Sequence, residues 1–255
     1  MKENYNSKNT KPFLFNIVVP VFNAEKYIEK CLNSILKQTY KNYQVQIVDD
    51  CSTDSTFEFA ASIILKQKNF SIFRNSSRLG SLNNIVDLLN KKIEEPSKTI
   101  DILIDGDDYL YSGDVLNILK DKYLQTNCLI TYGSHLSSKG VQGKKYPSFI
   151  RKLNMFRNYF WYASHLKTFR HDLWLSIDPN DFLDQNGMYY SVASDLAIMF
   201  PMLEMAGNRQ EFIDEVLYVY NDKNPISDHK IRRYAQILAA KEIRKKKKYN
   251  KLDFL

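Results

Sequence analysis

Apolar positions in the first half of the chain follow two different periods. The mainly apolar runs Phe13–Pro20 and Thr99–Ile104 are typical of strands that are buried on both faces. Between them, apolar residues from Ile28 to Leu36 recur every three or four positions, which predicts an amphipathic helix. The same two patterns predict strands at Gln44–Asp49, Phe70–Phe73 and Leu129–Tyr132, and helices near 57–65, near 82–89 and from Val115 onward.

Strands that alternate with helices predict an α/β fold with a mainly parallel, Rossmann-like sheet flanked by helices. Ligands of such sheets bind beyond the carboxyl ends of the strands. Three predicted strands end in polar or acidic clusters, so we expect these clusters to share one edge of the sheet. The clusters are Pro20-Val21-Phe22-Asn23, Asp49-Asp50-Cys51-Ser52-Thr53-Asp54 and Asp105-Gly106-Asp107-Asp108.

The second half of the chain has a less regular pattern. The segment from Gly133 to Pro147 is rich in Gly, Ser and Lys, which predicts a surface loop. Apolar spacing from Leu196 to Leu203 predicts a helix that is kinked at Pro201. Residues Phe212–Tyr220 have the composition of a strand.

The positive charge of the chain is concentrated near its C-terminus. The net charge is +7 over 255 residues, but residues 230–255 hold ten Lys or Arg against two acidic residues and account for +8. The rest of the chain is therefore close to −1, which argues against a nucleic-acid-binding domain. The segment could meet anionic lipid, nucleic acid or an acidic partner, or it could be a solvated terminal helix.

Cysteine usage and hydropathy indicate a cytoplasmic protein, whose basic tail could make it peripheral at a membrane surface. Cys31, Cys51 and Cys128 are odd in number and far apart, which is typical of a reducing compartment. The polar segment from Met1 to Lys11 does not resemble a secretory signal. Apolar runs are all shorter than the roughly 20 residues that span a bilayer.

The cluster Asp105-Gly106-Asp107-Asp108 places three carboxylates within four residues. Their mutual repulsion calls for compensation, and carboxylate oxygens suit Mg²⁺ or Mn²⁺. Gly106 would allow a tight turn and the close approach of a ligand. The alternative is a solvated turn rich in Asp. The pair Asp49-Asp50 could bind a base or ribose hydroxyls. Alternatively, Asp50, Ser52 or Asp54 could cap the following helix.

Four segments, in this order and spacing, resemble glycosyltransferase family 2 over about residues 13–132. The fourth corresponds to the DxD motif of that family. The segments are Val19-Pro20-Val21-Phe22-Asn23-Ala24-Glu25-Lys26-Tyr27-Ile28, Cys31-Leu32-Asn33-Ser34-Ile35-Leu36-Lys37-Gln38-Thr39-Tyr40, Ile47-Val48-Asp49-Asp50-Cys51-Ser52-Thr53-Asp54 and Asp105-Gly106-Asp107-Asp108.

This resemblance implies a GT-A fold, a nucleoside-diphosphate sugar donor and Mn²⁺ or Mg²⁺ as cofactor. It also implies roles for individual residues. Pro20, Val21, Asn23 and Glu25 would lie near the nucleotide, Asp49 or Asp50 at its base, Arg78 near the base or phosphates, Asp105 and Gly106 at the ribose or sugar, and Asp107 with Asp105 at the metal.

In the second half, the resemblance implies an acidic base before a late helix. Asp195 occupies that place, with Ser194 where the family often has Glu, and Asp184 is the second candidate. Gly187 resembles a glycine loop beside the donor sugar, and His229 resembles a C-terminal metal ligand. His165 would contact the donor or the acceptor.

These features lead to a hypothesis of inverting, metal-dependent transfer of a hexose-type sugar from a UDP-sugar to a hydroxyl of a glycan, protein or lipid. The expected organisation is a flexible segment 1–12, a GT-A domain 13–225 and a helical basic tail 226–255. Residues 13–132 would bind the donor, and the irregular part 133–225 would bind the acceptor. A sugar nucleotidyltransferase or a catalytically silent binding module are the alternatives, and the G-x-G-x-x-G of a dehydrogenase is absent.

Overall fold

The computed structural model describes residues 13–226 and 228–252, except for the side chains of Asp228 and His229. The expectation for residues 1–12 therefore lies outside the described residues. Strands are β1 (Leu14–Val21), β2 (Tyr43–Asp49), β3 (Phe70–Arg74), β4 (Thr99–Leu103), β5 (Tyr109–Leu110), β6 (Ile130–Ser137), β7 (Gly140–Gln142), β8 (Lys167–Arg170) and β9 (Gln210–Val219). Helices are α1 (Ile28–Leu36), α2 (Thr56–Ile64), α3 (Ser81–Leu89), α4 (Val115–Thr126), α5 (Ser148–Lys152), α6 (His171–Trp174), α7 (Ser194–Ala206), α8 (Asp228–Ile231) and α9 (Arg233–Lys245).

The strands form one mixed sheet in the order β3-β2-β1-β4-β8-β6-β9-β5, and β7 pairs with β6. Strands β1 to β4 run parallel to one another, as the alternation of strands and helices predicted. Strand β8 then pairs antiparallel with both β4 and β6. The predicted α/β class with a mainly parallel sheet and flanking helices is thus confirmed.

Burial explains why the first half of the chain forms these elements. Strand β1 is buried along almost its whole length because it lies between β2 and β4 and is covered on both faces. Helix α1 buries Ile28, Cys31, Leu32 and Ile35, which lie on one side of the helix. Apolar clusters on the two sides of the sheet form the core, and the sheet edge between them stays free for polar groups.

The expectation of a surface loop from Gly133 to Pro147 is wrong. Strand β6 continues to Ser137, and β7 turns back along it as an exposed hairpin. Gly133 is required because a Cβ at this position would lie 2.6 Å from the carbonyl oxygen of Ile213 in β9. The polar composition that suggested a loop belongs to an exposed edge of the sheet, where polar side chains can face water.

Helix α7 continues through Pro201 and buries its residues from Ala197 to Ala206. It is therefore covered from several sides, which explains why its sequence is apolar almost throughout. The residue before it, Ala193, has a φ of +58°, a left-handed conformation that sets the direction in which the helix begins.

The C-terminal segment is anchored to α7 by a buried ion pair. The Arg157 guanidinium donates to both carboxylate oxygens of Glu204, at 2.7 and 3.0 Å, and also to the carbonyl oxygen of Ile243 in α9. The backbone N–H of Tyr249 donates to Glu204 as well. Part of the basic segment thus packs against the body of the fold.

Among the described residues, no helix is both long enough and apolar enough to cross a membrane.

We expect the Glu204→Ala variant to lose about 3–5 kcal/mol of unfolding free energy, because it leaves Arg157 charged and unpaired in the interior. The side chains of this pair are 1% and 0% exposed. Urea denaturation followed by circular dichroism measures the loss.

The matched control is Glu95→Ala, which removes an exposed partner of Lys98 and should cost less than about 1 kcal/mol. Replacing both Arg157 and Glu204 by Met should recover much of the loss, since no charge is then left buried. Equal costs for Glu204→Ala and Glu95→Ala would contradict this account.

Candidate functional site

The carboxyl ends of β1, β2 and β4 meet at one edge of the sheet and are joined by backbone hydrogen bonds. The N–H of Asp50 donates to the carbonyl oxygen of Val21 at 2.8 Å, and the N–H of Gly106 donates to that of Pro20 at 3.1 Å. Pro20 and Val21 therefore lie between the two acidic segments. The three polar clusters predicted from the sequence lie at one sheet edge.

Gly106 is needed at this edge because the backbones approach closely. A Cβ there would lie 2.6 Å from Cγ2 of Val21 and 3.3 Å from the carbonyl oxygen of Pro20. Any larger residue would push the acidic segment away from β1. Close packing thus fixes the distance between Pro20 and the carboxylates that flank Gly106.

The side chains of Asn23 and Glu25 shape the loop between β1 and α1. Asn23 has a φ of +47°, and its side-chain oxygen accepts the N–H of Thr53 at 2.9 Å. The Glu25 carboxylate accepts the N–H of Ser55 at 3.1 Å. Both residues join the loop after β1 to the loop after β2, so they fix the backbone of this edge.

Asp49 is completely buried at the end of β2. Its carboxylate accepts the hydroxyl and the N–H of Ser52, and lies 3.3 Å from Nε of Arg74. These contacts hold the turn that follows β2.

Asp50 binds the segment that precedes α3. Its carboxylate accepts the N–H groups of Leu79 and Gly80 at 2.8 and 2.9 Å, and the side-chain amide of Asn75 at 2.9 Å. Burial raises the pKa of Asp50, but hydrogen bonds, first those of Asn84 and Leu79, lower it below its ordinary value. The backbone amides it binds precede α3, and they do not belong to α2.

Arg78 lies within the segment that Asp50 holds. Its guanidinium is 3.8 Å from the centre of the Phe22 ring and 3.9 Å from the Asp50 carboxylate, and the side chain is largely exposed. A cation here is available to a ligand at the sheet edge.

In the acidic segment, Asp108 is the most deeply buried carboxylate. It accepts the Tyr218 hydroxyl and the N–H of Asn221, both at 2.7 Å. Burial, followed by the charges of Asp105 and Asp107, raises the pKa of Asp108 well above its ordinary value. The site would therefore gain from a cation that offsets this repulsion.

Asp107 is bound by the loop that follows β9. Its Oδ2 accepts the side-chain amide of Asn224 at 2.6 Å. Burial raises the pKa of Asp107 above its ordinary value, although this hydrogen bond acts in the opposite direction. The C-terminal half of the chain thus supplies a partner to the acidic segment.

His165 stacks on two tyrosines beside this segment. Its ring lies parallel to that of Tyr218 at 4.7 Å and close to that of Tyr220 at 5.1 Å. Burial, followed by the charge of Lys167, lowers the pKa of His165 well below its ordinary value, so the imidazole is neutral at pH 7. Within the described residues, its Nδ1 is buried and has no hydrogen-bond partner.

Asp105, Asp108 and His165 form a group that could hold a metal ion, since one ligand atom of each lies within 4.8 Å of the others. Two carboxylates suit either Mn²⁺ or Mg²⁺, and a neutral imidazole favours Mn²⁺ over Mg²⁺, because imidazole binds transition metals better than Mg²⁺. The group differs from the expected set of Asp105, Asp107 and His229. The side chain of His229 lies outside the described residues.

Asp195 lies in the first turn of α7 and forms an ion pair with a lysine of β8. The Lys167 ammonium is 2.5 Å from Oδ1 of Asp195. Burial raises the pKa of Asp195, but the charge of Lys167, the influence of His165 and the hydrogen bond from Lys167 together lower it below its ordinary value. A carboxylate in this state is ionised at pH 7 and is able to accept a proton.

Asp184 and Gly187 form a turn elsewhere on the surface. The Asp184 carboxylate accepts the N–H groups of Asn186 and Met188, and Gly187 has a φ of +74°. Both residues line a pocket beside Lys246, a residue just after α9. Asp184 therefore has a local structural function in this turn.

Sequence reasoning missed Lys167 and the tyrosines on which His165 stacks. The available signal was the lysine itself, which stands between the apolar residues Leu166 and Phe169 in His165-Leu166-Lys167-Thr168-Phe169. Lysine is almost never buried without a charged partner, so such a position calls for an acidic neighbour.

The family model for glycosyl transferase family 2 matches residues 16–181 of this chain. Among curated proteins, the glycosyltransferase GlyA of Streptococcus pneumoniae is 29% identical over 138 residues. That match covers 51% of this chain and 18% of GlyA. The chain therefore matches only a small part of that relative.

Two solved structures have a similar fold. TarS of Staphylococcus aureus in complex with UDP-GlcNAc has a TM-score of 0.60 at 22% identity, covering 82% of this chain and 58% of that one. A mannosyltransferase of Pyrobaculum calidifontis in complex with GDP-Man and Mn²⁺ has a TM-score of 0.63 at 20% identity, covering 94% and 66%. At these sequence identities, the likeness shows a shared fold alone.

We expect the Asp50→Asn variant to lose about 2 kcal/mol of unfolding free energy at pH 7, because charged hydrogen bonds to the amides before α3 are weakened. The folded-state pKa of Asp50 is lowered, so this stabilisation is present above its ordinary value of 3.8 and is lost as the pH falls through the lower folded-state value. Urea denaturation at a series of pH values measures the difference between wild type and variant.

The matched control is Asp87→Asn, which removes one exposed carboxylate from α3 without affecting these amides. A wild-type advantage over Asp50→Asn that is equal at pH 7 and below pH 3 would contradict the assignment.

Proposed function

Because this chain belongs to glycosyltransferase family 2, we propose that it transfers a sugar from a nucleoside-diphosphate sugar to a hydroxyl group. The observation that carries this proposal is the convergence of the segments after β1, β2 and β4 at one sheet edge, where Gly106 packs against Pro20 and Val21. Ligands of parallel sheets bind at such edges.

The proposed donor is a UDP-hexose. The nucleotide would lie along Pro20, Val21 and the loop that Asn23 and Glu25 shape, with the base near Asp50. The exposed guanidinium of Arg78 would meet the base or a phosphate. The structures of similar fold hold UDP-GlcNAc in one case and GDP-Man in the other, so the identity of the nucleotide is the first property to measure.

The proposed cofactor is Mn²⁺ or Mg²⁺, and the imidazole in the candidate group favours Mn²⁺. Asp105 and Asp107 are the proposed carboxylate ligands. The donor atoms that lie within 4.8 Å of one another belong to Asp105, Asp108 and His165. A bound divalent cation would stabilise the negative charge that develops on the departing diphosphate. The raised pKa of Asp108 agrees with an uncompensated negative site.

The proposed base is Asp195. In an inverting transfer, the acceptor oxygen forms a bond to the anomeric carbon while the bond from that carbon to the diphosphate oxygen breaks. The bonding electrons leave with the nucleoside diphosphate, and the acceptor proton passes to the Asp195 carboxylate. The ionised state of Asp195 beside Lys167 suits this task.

The C-terminal helix provides a surface that suits a membrane. Tyr234, Ile237, Leu238, Lys241 and Lys245 are exposed and recur at the spacing of one face of α9. This face combines apolar and basic side chains, and the surrounding segment 230–255 has a charge of +8. We propose that it binds an anionic bilayer, where a lipid acceptor would be at hand.

Asp195→Asn should reduce transfer by a factor of at least about 100, since it removes the base, and should leave UDP binding intact. Asp107→Ala should abolish transfer and weaken Mn²⁺-dependent UDP binding. Transfer or hydrolysis of each common UDP- and GDP-sugar with Mn²⁺ measures activity, and calorimetry measures binding. Chelation with EDTA should stop the reaction, and added Mn²⁺ should restore it.

Asp184→Asn is the matched control, because it alters a carboxylate that holds a surface turn, and it should retain activity. Full transfer by Asp195→Asn would refute that base. Metal-dependent UDP binding without transfer or hydrolysis of any donor would instead support a silent binding module, and transfer of a nucleotidyl group would support a nucleotidyltransferase.

If this face of α9 binds an anionic bilayer, the protein should sediment with vesicles of phosphatidylcholine and phosphatidylglycerol but not with vesicles of phosphatidylcholine alone. Binding should weaken with added salt, because the basic side chains are exposed. The double variant Lys241→Glu/Lys245→Glu should lose binding, and the control Lys66→Glu/Lys68→Glu, at exposed lysines just after α2, should keep it. Equal binding by all three proteins would exclude this face.

A further inference from the structure

Lys167 is a buried lysine at the start of β8. Its side chain is only 3% exposed. In the antiparallel pairing of β8 with β4, Lys167 lies opposite Leu103, two residues before Asp105 of the acidic segment. Burying an ammonium group is costly unless it is paired, so its partners indicate its function.

The ion pair of Lys167 with Asp195 is asymmetric. The ammonium is enclosed, but the Asp195 side chain is 38% exposed. Lys167 binds Oδ1 of Asp195 at 2.5 Å, so it lies behind a carboxylate that solvent and ligands can reach. Two elements distant in sequence, β8 and α7, are needed to form this contact.

The acidic segment acts on the same ammonium. Burial lowers the pKa of Lys167, but Asp195, followed by Asp105, raises it above its ordinary value, so the group is charged at pH 7. Asp195 is thus one of several carboxylates around one cation.

We propose that Lys167 is a positioning residue that fixes the Asp195 carboxylate through a buried, charged hydrogen bond. This inference rests on the proposed function of Asp195 as base. Lys167 acts through Asp195 and does not bind the donor, since its ammonium is buried and directed to Oδ1 of Asp195. Its loss should therefore slow the chemical step and spare donor binding.

The test uses two substitutions of Lys167 in the full chain. Lys167→Met removes the charge and the hydrogen bond, and Lys167→Gln removes the charge but keeps a donor. Lys98→Met, at an exposed lysine before β4, is the matched control. Each protein is measured for kcat and donor KM in transfer, for UDP affinity with Mn²⁺, and for thermal unfolding.

We expect Lys167→Met to reduce kcat by about 100-fold, near the low end of what a general base contributes, with donor KM and UDP affinity unchanged. Lys167→Gln should lie between Lys167→Met and wild type, and Lys98→Met should match wild type. Adding Lys167→Met to Asp195→Asn should cause no further loss, because the two residues act as one unit.

Three results would overturn the inference. The first is that Lys167→Met keeps the wild-type kcat. The second is that Lys167→Met weakens UDP binding, which would make Lys167 a donor contact. The third is that adding Lys167→Met slows the Asp195→Asn variant by the same factor as it slows the wild type, which would make the effect of Lys167 independent of Asp195. Failure of the proposed function gives a different result, in which Asp195→Asn itself keeps full activity.

Should Lys167→Met unfold at the assay temperature, Lys167→Gln and the double variant with Asp195→Asn decide the question. The double variant removes both charges of the pair, so it avoids the buried, unpaired ammonium that Asp195→Asn alone leaves. A double variant that is folded but faster than Asp195→Asn alone would also contradict the inference.

Discussion

The structure depends on how negative charge is held at the carboxyl edge of the sheet. Strand β4 delivers three carboxylates within four residues, and burial makes their repulsion strong. Strand β9 and the loop after it donate hydrogen bonds to Asp107 and Asp108 from the Tyr218 hydroxyl, the Asn221 N–H and the Asn224 side-chain amide. The second half of the chain is therefore required to stabilise an acidic segment that comes from the first half.

The mixed sheet explains how these groups come together. The parallel strands β1 to β4 bring their carboxyl ends to one edge, as in any sheet of this class. Strand β8 then runs antiparallel beside β4, so its first residue, Lys167, lies next to the end of β4. Helix α7 begins nearby and places Asp195 on the Lys167 ammonium. The proposed base and the acidic segment are thus linked through one cation.

Several residues expected to touch a ligand are engaged in holding the backbone. Asp50 binds the amides before α3, and Glu25 binds the loop after β2. Contacts of this kind arrange a binding edge before any ligand arrives, which lowers the entropy lost on binding. Residues with such local functions affect a donor through the shape of the edge, whereas Arg78 remains exposed and available for direct contact.

The sequence by itself determined the elements whose formation depends on local periodicity, such as β1, α1 and β4, and the edge at which their polar ends meet. It also indicated the acidic segment, because consecutive carboxylates are visible without a fold. It did not reveal β8, the extension of β6, or the pairing of Lys167 with Asp195. Those features depend on contacts between residues far apart in the chain, and only the tertiary structure decides which polar side chains become buried and which partner each one meets.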